Sequence, residues 1–153
     1  MRDEVYMRKA LELARLAALD GEVPVGALVV KRSSGEIVGR GFNRREGCRC
    51  PVDHAEIIAI REASKKLGGW RLMDCELFVT LEPCPMCAGA VINSRIERVV
   101  FGAYDPKAGS CVSVTDLFSL PYNHKPECAG GILKEECAQV LSEFFRQLRK
   151  NNR

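Results

Sequence analysis

Apolar and polar positions change period several times along this chain, and each change marks an element. From Val5 to Leu19, Met7, Ala10, Leu11, Ala14 and Ala18 recur three or four residues apart, with Glu4, Arg8, Glu12 and Arg15 elsewhere on the cylinder. That spacing predicts an amphipathic helix, which Asp20 and Gly21 end. Val25 to Val30 and Ile37 to Phe42 are apolar runs separated by "KRSSGE". They predict a hairpin with Gly35 in its turn. The stretch from Asn43 to Val52 mixes charges with a Gly and a Pro, as a loop does. His54 to Leu67 predicts a second helix, with Ile57, Ile58, Ile60 and Ala63 as its buried side and Gly68-Gly69 as its stop. Leu77 to Leu81 predicts a strand. Pro85 to Ser94 predicts a helix with proline in its first turn, where a missing N–H costs little. Arg98 to Gly102 follows as a strand, and Val114 to Ser119 as a short helical turn. The loop "LPYNHKPECAGG" has room for an edge strand around Cys128. Lys134 to Lys150 predicts the last helix, carrying Val140, Leu141, Phe144, Phe145 and Leu148.

Strands and helices alternate after the hairpin. The expectation is a layered α/β domain with a mixed sheet, its first two strands antiparallel and its later ones parallel. No repeat, linker or low-complexity segment interrupts the pattern, so residues 1–153 are expected to form one domain.

Composition narrows the class. With 46% hydrophobic and 28% charged residues, the chain fits neither a disordered nor a membrane-spanning protein. No apolar run approaches the roughly 20 residues of a membrane span. The first 22 residues carry charges throughout, unlike a signal peptide, so the expected location is cytoplasmic. A net charge of +3 and a pI of about 8.4 permit a nucleic-acid partner without requiring one. Eight cysteines without a secretory signal point to metal ligands or buried thiols rather than a disulfide framework.

Two fragments carry the chemistry: "DHAEI" at 53–57 and "EPCPMC" at 82–87. Both sit where a loop or strand runs into a helix start. In an α/β domain, helices entered at one edge of the sheet bring their N-termini together. His54 can then meet Cys84 and Cys87, whose spacing places two sulfurs about one helical turn apart. One imidazole and two thiolates suit zinc and disfavour calcium or magnesium. Structural zinc sites normally close with four protein ligands. Three leave a position for water, whose pKa zinc lowers from about 15.7 towards 7. Glu56, two residues from His54, can stand beside the ion and carry protons without binding it. Taken singly, each residue has a plainer reading: His54 as a cap or core residue, the cysteines as a redox pair, Glu56 as a first-turn charge. The order His-x-Glu, then Pro-Cys-x-x-Cys, is the signature of zinc nucleobase deaminases.

At these residues, and over nearly its whole length, the chain resembles the bacterial tRNA-specific adenosine deaminases of the cytidine deaminase-like superfamily. The resemblance runs through "GEVPVGALVV", "HAEIIAIREA", "LFVTLEPCPMCAGAVINSRIERVVFGAYDPKAG", "YNH" and "GGILKEECAQVLSEFF". It implies a three-layer α/β cytidine deaminase-like fold, with a mixed five-stranded sheet and helices on both faces. It implies hydrolytic deamination of adenosine to inosine at the wobble position of a tRNA anticodon. One Zn2+ per subunit would be held by His54, Cys84 and Cys87, with Glu56 as the catalytic proton shuttle. Substrate contacts would come from Val23, Pro24, Asn43, Ala55, Pro83, Asp105, Asn123, His124 and Phe145. The implied partners are a tRNA anticodon stem-loop and a second copy of the chain, with no membrane.

Basic residues fit that partner. Arg44, Arg45, Arg49, Lys107, Lys125, Arg146, Arg149, Lys150 and Arg153 could meet phosphates or form a solvated basic face. Phe144 and Phe145 could stack on a base, though their spacing with Val140 and Leu141 favours a core position for at least one. Two loops depart from the family pattern, at "CRCPVD" and "SCVSVTDLF", which leaves substrate range open. Cys48 and Cys50 could form a second metal site or a redox switch; Cys75, Cys111, Cys128 and Cys137 are expected as buried thiols. Two other readings stay open. One is a deaminase of a free base or nucleoside, of guanine or cytosine type. The other is a structural zinc module that binds RNA, which requires a fourth protein ligand and no role for Glu56.

Overall fold

The computed structural model describes residues 2–152; Arg153 of the basic tail lies outside them. Helix α1 (Arg2–Leu19) leads into the hairpin β1 (Gly26–Lys31) and β2 (Ile37–Phe42). Then come α2 (Ala55–Leu67), β3 (Cys75–Leu81), α3 (Pro85–Ser94) and β4 (Arg98–Ala103). A 3-10 turn (Leu117–Ser119), the short β5 (Glu127–Ala129) and α4 (Lys134–Asn151) complete the order. The five strands lie in the order β2-β1-β3-β4-β5. β1 is antiparallel to both β2 and β3, and β3, β4 and β5 run parallel. The mixed sheet expected from the sequence is therefore present, with helices on both faces.

Side chains on successive strand residues point to opposite faces, so each strand feeds two cores. Ala27, Val29, Leu77, Val79, Val99 and Phe101 join Ala55, Ala59, Ala63, Ala88 and Val91 from α2 and α3. Leu28, Val30, Phe78 and Val100 join Met7, Ala10 and Leu11 from α1 and Cys137 from α4. Such central strands, covered on both sides, read as unbroken apolar runs such as "ALVV" and "LFV".

Glycine sets how close the helices lie. A Cβ on Gly41 would collide with the Ala55 carbonyl and come within 2.8 Å of the Ala59 N. One on Gly39 would collide with the Ala59 carbonyl and approach the Ala63 N to 3.0 Å. β2 thus offers bare backbone to α2, and α2 answers with alanines. This explains one difference from the sequence expectation. The buried side of α2 is Ala55, Glu56, Ala59 and Ala63, while Ile57, Ile58 and Ile60 are only half-buried. Large side chains cannot enter an interface that narrow.

Other expectations shift for similar local reasons. In α1, Ala17 is buried and Ala18 only partly so. Cys75, Cys111 and Cys137 are buried, but Cys128 is exposed because β5 is an edge strand. α4 reaches the core through Cys137, with Val140 and Leu141 packed against its two clusters. Phe144 is half-buried and Phe145 exposed, so neither is a core residue.

Gly41→Ala should overpack the α2–β2 contact by about 1–3 kcal/mol. Thermal melting should then fall by roughly 2–4 °C per kcal/mol. Gly69→Ala, whose Cβ would meet nothing within 4 Å, should leave the melting curve close to wild type.

Candidate active site

The site lies where the chain leaves β3. Two residues beyond Leu81 is Pro83, and the next, Cys84, is the N-cap of α3. His54 occupies the same position on α2. Both have extended backbone, φ −73° and ψ 154° for His54 and φ −73° and ψ 174° for Cys84, as N-caps require. Neither side chain caps its own helix. Each is free to face the other, and the Ala55 N–H donates instead to Asn43 Oδ1 at 2.9 Å. Pro85 fixes the first turn of α3 and brings the Cys87 sulfur back over Cys84.

His54 Nδ1 stands 3.6 Å from Cys84 Sγ and 3.6 Å from Cys87 Sγ. The nitrogen and both sulfurs lie within 4.8 Å of one another, and together they could hold one metal ion. The spacing can be tested against zinc. Tetrahedral bonds of about 2.0–2.1 Å to nitrogen and 2.3 Å to sulfur place N and S roughly 3.6 Å apart. The donor set and its separations therefore fit that ion. Among the described residues, no fourth His, Cys, Asp or Glu joins the group. Cys48 and Cys50 gather no such cluster either.

Charge at the site is shared unequally. The Cys87 thiol and the His54 ring pull the Cys84 thiol down to about 4, which favours its thiolate form. Cys87 is pushed up, first by that neighbouring sulfur and then by burial. The His54 pKa is raised by its bond to Cys84. Glu56 is 4% exposed, and burial pushes its carboxyl up to about 7, with the negative Cys84 adding to the effect. A carboxyl near neutrality can both take and give a proton.

Beside the triad opens a cavity of about 210 Å³ lined by Val23, Val25, Asn43, Arg45, His54, Glu56, Leu81, Glu82, Cys84, Asp105 and Ala108. That is below the few hundred Å³ of a drug-sized site and suits one small ring system. Of the substrate contacts anticipated from sequence, Val23, Asn43 and Asp105 line it. Pro24, Ala55 and Pro83 are buried in the adjoining backbone. A groove of about 450 Å³ shares Val23, Asn43 and Arg45 with the cavity and runs on to Phe144, Phe145 and Leu148. Phe145, 40% exposed, is thus placed beside the site. Asn123 and His124 are not brought to it. The His124 ring bonds the Ile96 carbonyl at 2.6 Å, just ahead of β4, whereas the triad lies beyond the far end of parallel β3.

Sequence reasoning passed over two buried carboxylates. Glu22, 3% exposed, accepts from the Glu46 N–H at 3.1 Å and the Gly47 N–H at 2.7 Å, tying down the loop before His54. Glu82, 2% exposed, lies under the loop after β4. The available signal was position: each is an acidic residue set directly against an apolar segment that enters the site.

The profile of MafB19-like deaminases matches residues 1–149. A tRNA-specific adenosine deaminase of Bacillus subtilis is 50% identical over 153 residues, covering 99% of this chain and 94% of its own. The chain belongs to the tRNA-specific adenosine deaminase family. Another such enzyme, from Aquifex aeolicus, is 45% identical and covers 99% of both chains. A structure from a study of A-to-I editing by tRNA:A34 deaminases at the wobble position superposes with a TM-score of 0.84. It shares 42% identity and covers 88% of this chain and 97% of its own. A guanine deaminase from Nitrosomonas europaea also superposes, with a TM-score of 0.77 at 31% identity over 92% of this chain and 83% of its own. Like its relatives, this deaminase-family chain has the five-stranded mixed sheet of the cytidine deaminase-like fold.

Cys87→Ser should weaken metal retention by replacing a soft donor. Elemental analysis after dialysis should show metal per chain falling well below that of the unsubstituted protein.

Proposed function

We propose that this protein deaminates adenosine hydrolytically to inosine at the wobble position of a tRNA anticodon. One observation carries the reading: a His-Cys-Cys triad with a fitting 3.6 Å spacing has a buried, non-ligand glutamate at its side, within a single-base cavity. The family relationship supplies the substrate class. We assign the triad one Zn2+ per subunit, which when bound supplies an activated water.

The chain's own residues handle the proton and the base. Glu56 takes a proton as the water oxygen bonds to C6 of adenine, and passes it to N1. The same carboxylate then takes the second proton from the new C6 hydroxyl and delivers it to the amino group, the C6–N bond breaks, and ammonia leaves. Adenosine and water become inosine and ammonia. Asn43, Val23 and Asp105 hold the base edge, while Pro24, Ala55 and Pro83 shape the backbone around it. Extruding a base from a single-stranded loop costs less than from a duplex, which favours an anticodon loop as substrate.

The groove beyond the cavity supports a polymer over a free base. Its Arg45 offers a charge for a phosphate, and the exposed Phe145 offers a ring on which a flanking base can stack. The alternative, a deaminase of a free base or nucleoside of guanine or cytosine type, draws its support from the likeness to a guanine deaminase. Turnover on an anticodon stem-loop against free guanine separates them, and preference for guanine would overturn the tRNA reading. Asn123 and His124, remote from their own triad, are assigned to the substrate through a homodimer, in which one copy serves the other's site. Among the described residues, no helix is long and apolar enough to cross a membrane, and a cytoplasmic location suits a tRNA substrate.

Glu56→Ala should keep its metal and lose inosine formation by roughly 10²–10⁴-fold, measured by nucleoside mapping of treated stem-loop. Unchanged turnover by that variant would remove Glu56 from the mechanism.

A further inference from the structure

The loop that follows β4, from Asp105 to Ser113, forms one wall of the cavity through Asp105 and Ala108. It contains neither helix nor strand. A segment of this kind holds one shape only if something other than a backbone ladder accepts its N–H groups. In the middle of the loop, Asp105 Oδ1 accepts from the Lys107 and Ala108 N–H groups, and the Asp105 and Pro83 carbonyls accept from those of Gly109 and Ser110; at its two ends a single side chain does so. Glu82 Oε1 accepts from the Asp105 N–H at 3.1 Å and from the Ser113 hydroxyl. Its Oε2 accepts from the N–H groups of Cys111 at 3.2 Å, Val112 at 2.7 Å and Ser113 at 2.9 Å. Gly109 closes over the carboxylate so tightly that a Cβ there would collide with it.

We propose that Glu82 is a positioning residue whose carboxylate, held by both ends of the Asp105–Ser113 loop, sets that loop as the binding wall for the target nucleotide. The proposal rests on the deaminase reading above. All five donors come from this one loop. Burial of an anion at 2% exposure is favourable only while those donors stay in place. Loop and carboxylate therefore hold each other: the loop neutralises a charge the core would otherwise reject, and the charge gives the loop its shape. Glu82 does not join the triad, and although it lines the cavity both its oxygens are engaged by the loop, so it acts on binding rather than on the proton transfers.

The two oxygens have separate jobs, which makes the inference testable. In Glu82→Gln, the amide oxygen can take over the three N–H groups of residues 111–113, and the Ser113 hydroxyl can turn to accept from the new NH2. The Asp105 N–H then faces another donor. Glutamine should release the Asp105 end and keep the far end; Glu82→Ala should release both.

The experiment uses metal-loaded full-length protein. It measures steady-state kinetics on an anticodon stem-loop, metal content, and hydrogen exchange at amides 105 and 111–113. For Glu82→Gln the expected result is KM raised roughly tenfold, kcat within about threefold of wild type, metal retained, and faster exchange at amide 105 alone. Glu82→Ala should raise KM further and speed exchange at both ends. If Glu82→Gln folds poorly, Ser113→Ala removes one donor to Oε1 and should give a smaller rise in KM with unchanged kcat. Unchanged KM in these variants, or a fall in kcat that tracks loss of metal, would overturn the inference. If wild type itself leaves the stem-loop untouched, the deaminase reading fails, and exchange at amide 105 still decides whether Glu82 anchors the loop.

Discussion

Helix α2 rests on strand β2 with no side chain contributed by the strand's Gly39 and Gly41, and the site depends on that contact. Gly39 and Gly41 present bare backbone, Ala55, Ala59 and Ala63 present the smallest helix-compatible side chain, and the pair can approach only at one height. That height decides where the first turn of α2 begins. His54 and Glu56 sit in or beside that turn, so their distance from the sulfurs on α3 is fixed by backbone packing along α2 rather than by their own side chains. Close packing is stiff on this scale: interiors resist even a methylene's change in volume. A 3.6 Å nitrogen–sulfur spacing is the outcome.

Three buried carboxylates near the cavity show how the same group takes different roles. Glu22 and Glu82 both accept from backbone N–H groups, and Glu82 is held below the usual carboxylate range: burial alone would raise it, but the bonds from Ser113 and the loop amides outweigh that. Glu56 has been left with few such donors beside a negative sulfur, and burial carries it towards neutrality. The first two anchor the loops that give the cavity Arg45 on the one hand and Asp105 and Ala108 on the other. The third is available for proton transfer. Environment, rather than residue type, separates anchor from acid–base group.

Much of this was legible in the sequence. Strand runs, the glycine stops at Gly21 and Gly68, and Pro85 at a helix start gave the element order. The His-x-Glu and Cys-x-x-Cys fragments gave the triad, because ligand spacing follows from local helix geometry. What periodicity could not show was long-range. The buried face of α2 was misjudged because hydrophobicity favours Ile57 and Ile58, whereas the partner strand's glycines favour alanine. Cys128 reads as a buried thiol in the sequence because its strand's place at the sheet edge is a property of topology. Glu22 and Glu82 carry no local signal because their donors lie 23 to 31 residues away. The same holds for Asn123 and His124: the family likeness names them, but no local rule shows that the triad is out of their reach within one chain.

The central claim is that one imidazole and two sulfurs hold a zinc ion whose remaining position stays open to water. X-ray absorption spectroscopy on the metal-loaded protein tests it most directly. The account predicts zinc with two sulfur neighbours at about 2.3 Å and two nitrogen or oxygen neighbours at about 2.0–2.1 Å, one of the latter exchangeable with added ligand. A third sulfur, or a shell of four protein donors inert to exchange, would contradict it.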